Sequence, residues 1–317
     1  MNDIFFMLKN HYSIEANDIV PQQGGWAALA YKIRAGSRRY FLKMYEKRRA
    51  STPKWTALID DYAPILGWLS QNSNLKGKVP VPLLTNRGNY KCEDGEGIYM
   101  LYDFIDGETV GEKKMTAAQV AQLSEIIAEL HSYGEEIPVN TDRVKEDFDV
   151  PFLRQLKIAL DQDCKRLPGD VEAVVQPHLE QIRNWINRVE ELSKSLKKEH
   201  VRLALCHTDL HPWNLMQAGR QLMLIDWEGL KLAPVESDLM FLIDEPYYPD
   251  FLKVYRNQHE NFELHPGALR FYQGRRKLED VWEFMEQLLF DRQTDAERAN
   301  TMASLAKELE EIGGSVG

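Results

Sequence analysis

Two apolar runs that each end in a carboxylate constrain this chain more than any other feature. The first delivers Leu205-Cys206-His207-Thr208-Asp209-Leu210-His211-Pro212-Trp213-Asn214. The second follows a turn at Ala218-Gly219-Arg220 and reads Leu222-Met223-Leu224-Ile225-Asp226-Trp227. Short apolar runs bounded by turn residues predict buried strands. A carboxylate at the end of one must be hydrogen-bonded, paired or metal-bound. Asp209 and Asn214 from one strand end, and Asp226 from the other, can meet around one hard cation. Asn and Asp oxygens suit Mg²⁺, which takes few protein ligands and completes its shell with water and phosphate oxygens. Asn214 and Asp226 are therefore the expected metal ligands, and Asp209 is placed to accept a proton from a hydroxyl nucleophile.

With 317 residues the chain can bury two lobes. The composition is that of a globular protein, 44% hydrophobic and 28% charged. The net charge of -10 argues against a nucleic-acid partner and suits a cationic small molecule. Cys92, Cys164 and Cys206 are odd in number and scattered, as expected of reduced thiols in the cytoplasm. No stretch approaches the roughly 20 apolar residues of a membrane span, and the short apolar run after Met1 carries Asp3 where a signal peptide has positive charge.

Taken in order, Ile4, Phe5, Leu8 and Tyr12 predict a short amphipathic helix. Ile19 to Tyr31 reads as strand, turn, strand, with Gly24-Gly25-Trp26 at the turn. Paired glycines let a backbone aim its N–H groups at phosphate oxygens, although an ordinary hairpin explains them as well. Tyr40 to Tyr45 is a strand with Lys43 alone among apolar neighbours. A strand lysine behind a glycine hairpin is a phosphate-contacting cation in kinases, against the plainer reading of an edge lysine reaching water. Its acidic partner is expected on the helix begun by Ser51-Thr52-Pro53. Asp61 is favoured over Asp60 there, and Pro64 is expected to kink or divide the helix.

Val79 to Leu84, Tyr90 to Cys92, and Ile98 to Ile105 read as strands. Backbone groups near Leu101 and Asp103 are expected to meet an adenine ring where the pattern changes from strand to helix. That change divides the chain into residues 1–102, a nucleotide-binding sheet with a helix, and residues 103–317, carrying the catalytic loop, metal site and substrate helices. Helices are expected at 116–131, 151–166, 171–196, from 233, at 267–290 and at 295–312. His131 is read as a dipole partner at a helix end, and Asp238 as an anchor for loop backbone.

The pattern His207-x-Asp209-x-x-x-x-Asn214, followed by Ile225-Asp226-Trp227-Glu228, resembles the signature of the aminoglycoside phosphotransferase family within the protein-kinase-like superfamily. The similarity extends through Leu232-Ala233-Pro234-x-x-x-Asp238-Leu239-Met240-Phe241 and Arg276-x-Leu278-Glu279-Asp280. These stretches are most similar to the spectinomycin phosphotransferase branch. The resemblance implies an α+β, two-lobed kinase-like fold with a small antiparallel N-lobe and a larger helical C-lobe, ATP between the lobes, and Mg²⁺ on Asn214 and Asp226. It also implies Asp209 as catalytic base, Lys43 on the α- and β-phosphates, and the Gly24-Gly25 hairpin over them. No Ala-Pro-Glu activation segment is visible.

Glu228, Asp244, Glu245 and Glu279 are candidates to line an acceptor pocket for a cationic or polyhydroxylated molecule, for which the resemblance suggests an aminoglycoside or spectinomycin-like antibiotic. Surface solvation explains each of them equally. Similar folds phosphorylate choline, homoserine and sugars. Two readings from other classes remain: a metallohydrolase using His207, Asp209 and His211 on zinc, which leaves Lys43, Asn214 and Asp226 unexplained, and a non-catalytic kinase-like scaffold, which has no need to keep all four site residues.

Overall fold

The computed structural model describes residues 2–22, 27–164 and 167–314. In chain order the first strands and helices are α1 (Asn2–Tyr12), β1 (Asp18–Gln22), β2 (Leu29–Ala35), β3 (Arg38–Glu46), α2 (Thr52–Thr56), α3 (Ile59–Asn72), β4 (Cys92–Glu93), β5 (Gly97–Asp103), β6 (Glu108–Thr109) and α4 (Ala117–Leu130). Next come α5 (Phe152–Ala159), α6 (Gly169–Val175), α7 (Leu179–Leu196), β7 (Ala204–Cys206), β8 (Leu215–Ala218), β9 (Gln221–Leu224) and β10 (Lys231–Ala233). The chain closes with α8 (Glu236–Leu239), α9 (Tyr248–Tyr255), α10 (Pro266–Phe290) and α11 (Asp295–Gly314). The fold is α+β.

Two compact units account for these elements. One comprises residues 1–47, 52–145 and 202–263; the other comprises 48–51, 146–201 and 264–317. The boundary read from the sequence at 102/103 falls inside the first unit.

In the first unit an antiparallel sheet runs β1-β2-β3-β5-β4. Alternation along β3 and β5 sorts its side chains onto two faces. Tyr40, Leu42, Tyr99 and Leu101 pack with Ile4, Met7, Leu8 and Tyr12 of α1 in one buried cluster. The opposite face carries Lys43 and Tyr45 on β3, with Met100 and Tyr102 on β5. There the Tyr62 hydroxyl of α3 reaches Met100 Sδ at 3.5 Å. The periodicity of α1 is thus that of a lid on the sheet, leaving the Lys43 face for chemistry.

Several boundaries differ from the sequence reading. The helix expected from Thr52 breaks at Ala57–Leu58, whereas Pro64 lies inside α3. The single intrahelical bond that Pro64 forfeits is to the carbonyl of exposed Asp60. Val79–Leu84 forms no strand, because Pro80 and Pro82 bring no N–H to a ladder; Leu83 N–H still donates to the Leu101 carbonyl at 2.7 Å. The helix expected at 171–196 is two, α6 and α7, separated around Pro177. Thr116 caps α4 in a reciprocal capping box with Gln119, as its position suggested.

In the second unit α10 packs on α7 and α11. Gly274 allows the α7 contact, since a Cβ there would stand 2.8 Å from Val189 and 3.2 Å from Trp185. Arg275 donates to the fully buried Glu146 carboxylate at 3.1 Å. No helix among the described residues is long and apolar enough to cross a membrane. The three cysteines are buried and form no disulfide.

Candidate active site

The site is assembled from three segments of the first unit: strand β3, the loop after β7, and the turn after β9. β7 pairs with β10, setting Cys206 opposite Lys231. β8 pairs with β9, setting Leu215 opposite Leu224. The two loops are then fastened to each other. His207 Nε2 meets the Ile225 carbonyl at 2.8 Å and its Nδ1 meets the Asp209 amide at 3.3 Å. The ring therefore donates from Nε2 and accepts at Nδ1. Both ring nitrogens are spoken for inside the protein, which removes His207 as a zinc ligand and with it the metallohydrolase reading. The Ile225 amide donates to the Asn214 carbonyl at 2.9 Å.

Asp238 is the anchor beneath the loop. Wholly buried, it accepts from the His207 amide at 3.0 Å, the Thr208 amide at 2.5 Å, and His131 Nε2 at 3.0 Å. His131 Nδ1 in turn accepts from the Tyr255 hydroxyl at 2.9 Å, burial having pushed that phenol's pKa upward. His131 closes α4 as expected, but as a link in this buried chain.

Thr208 and Asp226 both adopt left-handed backbone conformations, with φ of 68° and 64°. Such residues cost about 1–3 kcal/mol each and persist where surrounding contacts over-determine them. At Thr208 those contacts are the Asp238 carboxylate and a bond from Thr208 Oγ1 to the Gly229 carbonyl at 2.7 Å. Gly229 permits this approach: a Cβ there would lie 2.5 Å from Thr208 Oγ1.

Asp209 is held at Oδ2 by the Asn214 amide nitrogen at 2.9 Å and by His211 Nε2 at 3.3 Å. Asn214 also donates to the Asp209 carbonyl at 2.9 Å. Lys43 Nζ lies 2.7 Å from Asp226 Oδ1 and 2.5 Å from Glu228 Oε1, and the Tyr45 hydroxyl donates to the same Glu228 oxygen. Burial draws the Lys43 pKa down, but Asp226 and Glu228 together outweigh it and hold the ammonium above its ordinary value. Burial, then Glu228, pushes the Tyr45 phenol up, so it remains a donor.

The structure thus brings Lys43, Asp209, Asn214 and Asp226 into one connected network, and it corrects two assignments. Asp61 accepts from Arg143 at 3.0 Å and Asp60 from Lys91 at 2.9 Å, so neither acid of α3 serves Lys43. Glu228, expected to line an acceptor pocket, is instead buried against Lys43, its side chain only 8% exposed. Leu101 is buried with its carbonyl engaged by Leu83, while Asp103 is exposed at the end of β5. Asp244 and Glu245 lie in the turn before α9 in the first unit, and Glu279 lies half-buried beside Arg275 in the second. Gly24, Gly25 and Trp26 lie outside the described residues. Tyr45 was missed, although it sits two positions from Lys43 and so shares its face of the strand.

Solved structures share this fold over nearly the whole chain. Spectinomycin phosphotransferase APH(9)-Ia, crystallised with ADP and spectinomycin, superposes with a TM-score of 0.73 at 20% identity, covering 99% of this chain and 97% of that one. Choline kinase LicA from Streptococcus pneumoniae gives 0.62 at 16% identity, covering 98% of each chain. The microcompartment-associated aminopropanol kinase gives 0.64 at 13% identity, covering 99% and 97%. No curated protein matches the chain in sequence. The model of the phosphotransferase enzyme family, APH, matches residues 18–272, a span that contains every segment of the network just described, and the chain belongs to that family.

Proposed function

We propose that this protein transfers the γ-phosphate of ATP to a hydroxyl of a small molecule, with Mg²⁺ as the metal. One observation carries the reading: three segments bring together a Lys43–Asp226 pair and an Asp209–Asn214 pair, joined by the bond from the Ile225 amide to the Asn214 carbonyl. Phosphoryl transfer asks for positioning and charge neutralisation, and this set provides both.

The residues fit the metal. Asn214 turns its amide nitrogen onto Asp209, which directs its amide oxygen away, and the Asp226 side chain is 40% exposed. Amide and carboxylate oxygens are the donors Mg²⁺ takes, and when bound it neutralises phosphate charge. Lys43 contributes a fixed cation for the α- and β-phosphates. Asp209 orients the acceptor hydroxyl and receives its proton, its carboxylate held by Asn214 and His211. Residues 1–102 form the nucleotide-binding part and residues 103–317 the catalytic and substrate-binding part. Buried cysteines without a disulfide fit a reducing, cytoplasmic setting.

For the acceptor we infer a hydroxylated molecule that carries a cationic amine. The structural relatives act on spectinomycin, choline and aminopropanol by their names, and the net charge of -10 favours such a ligand. The test is Mg²⁺-dependent ATP turnover over a panel of spectinomycin, other aminoglycosides, choline, aminopropanol and homoserine, with mass spectrometry for one added phosphate. A phosphorylated amino alcohol is the expected product. Failure of the protein to bind ATP would overturn the reading in favour of a scaffold.

A further inference from the structure

Lys43 has two acids, and their surroundings are unlike. Asp226 stands at the mouth of the turn, 40% exposed, on a left-handed backbone. Glu228 is enclosed, 8% exposed, and receives a second donor from Tyr45. A buried carboxylate with two donors is costly to displace, whereas an exposed one can exchange partners. The short helical turn Trp227–Gly229 that carries Glu228 is itself fixed. Trp227 Nε1 donates to the Leu224 carbonyl at 2.7 Å, its ring meets His207 edge-on at 4.7 Å, and Thr208 bonds the Gly229 carbonyl.

We propose that Glu228, clamped by Tyr45, is the positioning residue that holds Lys43 for nucleotide phosphates in this chain, a task not given to helix α3. The inference rests on the ATP-dependent reading above. Asp226 can then leave Lys43 for a cation without the lysine losing its anchor. The consequence is regulatory. In protein kinases the lysine's acid rides on a helix whose movement switches the site. Here the acid belongs to the turn that carries Asp226 and is bonded to the catalytic loop, so Lys43 is set by the fold of the loops and needs no movement of α3.

Calorimetric titration with ATP, once in EDTA and once with Mg²⁺, tests this in wild type, Glu228→Gln, Lys43→Met and the double variant. Lys43→Met should weaken ATP binding at least about tenfold in the wild-type background. In the Glu228→Gln background it should weaken binding less than about threefold, because an unanchored lysine contributes little. Without metal the non-additivity should persist but be smaller, because Asp226 then stays beside Lys43.

Equal costs of Lys43→Met in both backgrounds would overturn the proposal, as would a Glu228→Gln effect confined to the Mg²⁺ titration, which would make Glu228 a metal ligand. Tyr45→Phe keeps every charge and covers the case in which Glu228→Gln does not fold. It should lower ATP affinity when Lys43 is present and do nothing when residue 43 is methionine; no effect in either background would count against the clamp. A wild-type protein that binds no ATP would fail at the earlier step, bringing down the ATP reading itself.

Discussion

Two sets of carboxylates compete, on paper, for Lys43. Helix α3 offers Asp60 and Asp61, and the turn after β9 offers Asp226 and Glu228. The helix pair sits in the first turn of α3, where acids favour the helix dipole, and each finds a surface cation, Lys91 and Arg143. The turn pair meets Lys43 directly, Glu228 buried against it and Asp226 40% exposed beside it. Exposed pairs of the first kind contribute about 0–1 kcal/mol. Pairs of the second kind must be complete, because removing one partner strands a buried charge. What decides which acid serves a buried lysine is burial and distance in space, not the type of element that carries the acid.

The strongest way to break this contrast is at the residue the network positions. Asp209→Ala should lower phosphoryl transfer about 10³-fold, the range of a lost general base, while leaving ATP affinity unchanged. Normal turnover by that variant would dismiss the whole site.

A buried acid with too little cationic company sharpens the comparison from the second unit. Asp280 pairs with Arg276 at 2.9 Å, yet burial outweighs the arginine and pushes its carboxyl up to about 7. The folded state therefore holds a proton that the unfolded chain, with a carboxyl near 3.8, gives up earlier. That contribution to stability is present at low pH and is lost as pH rises from about 4 to about 7, on the order of 4 kcal/mol in all. Urea midpoints at pH 5 and 7.5 should show this loss in wild type and not in Asp280→Asn; parallel behaviour would mean that Asp280 ionises normally.

The smallest effect belongs to the helix. Asp61→Asn should leave ATP affinity unchanged and shift stability by no more than about 0.5 kcal/mol. A large loss of ATP binding would return the lysine's partnership to α3.

How far these features were legible depends on how local their physics is. His207, Asp209 and Asn214 lie within one loop, where spacing alone constrains what the side chains can reach, and the amphipathic spacing of α1 and the Thr116 cap are equally local. Pro80 and Pro82 were local too, and weighing their missing N–H groups would have kept Val79–Leu84 out of the strand count. The partner of Lys43 is a different matter. Glu228 is 185 positions away, one acid among the chain's 49 acidic residues, and nothing in its neighbourhood reports that it is buried. The left-handed turn at Thr208 was equally hidden, since it is held by Asp238, 30 residues further on.

The sequence by itself determined the family, the α+β class, and the identity and order of Lys43, Asp209, Asn214 and Asp226, because order and spacing along a chain are properties of the chain. Only the tertiary structure decided which acid holds the lysine, which histidine nitrogens are taken, and which carboxylates are buried. Those depend on what is packed against a group, and packing is set by segments far apart in sequence that exclude water together.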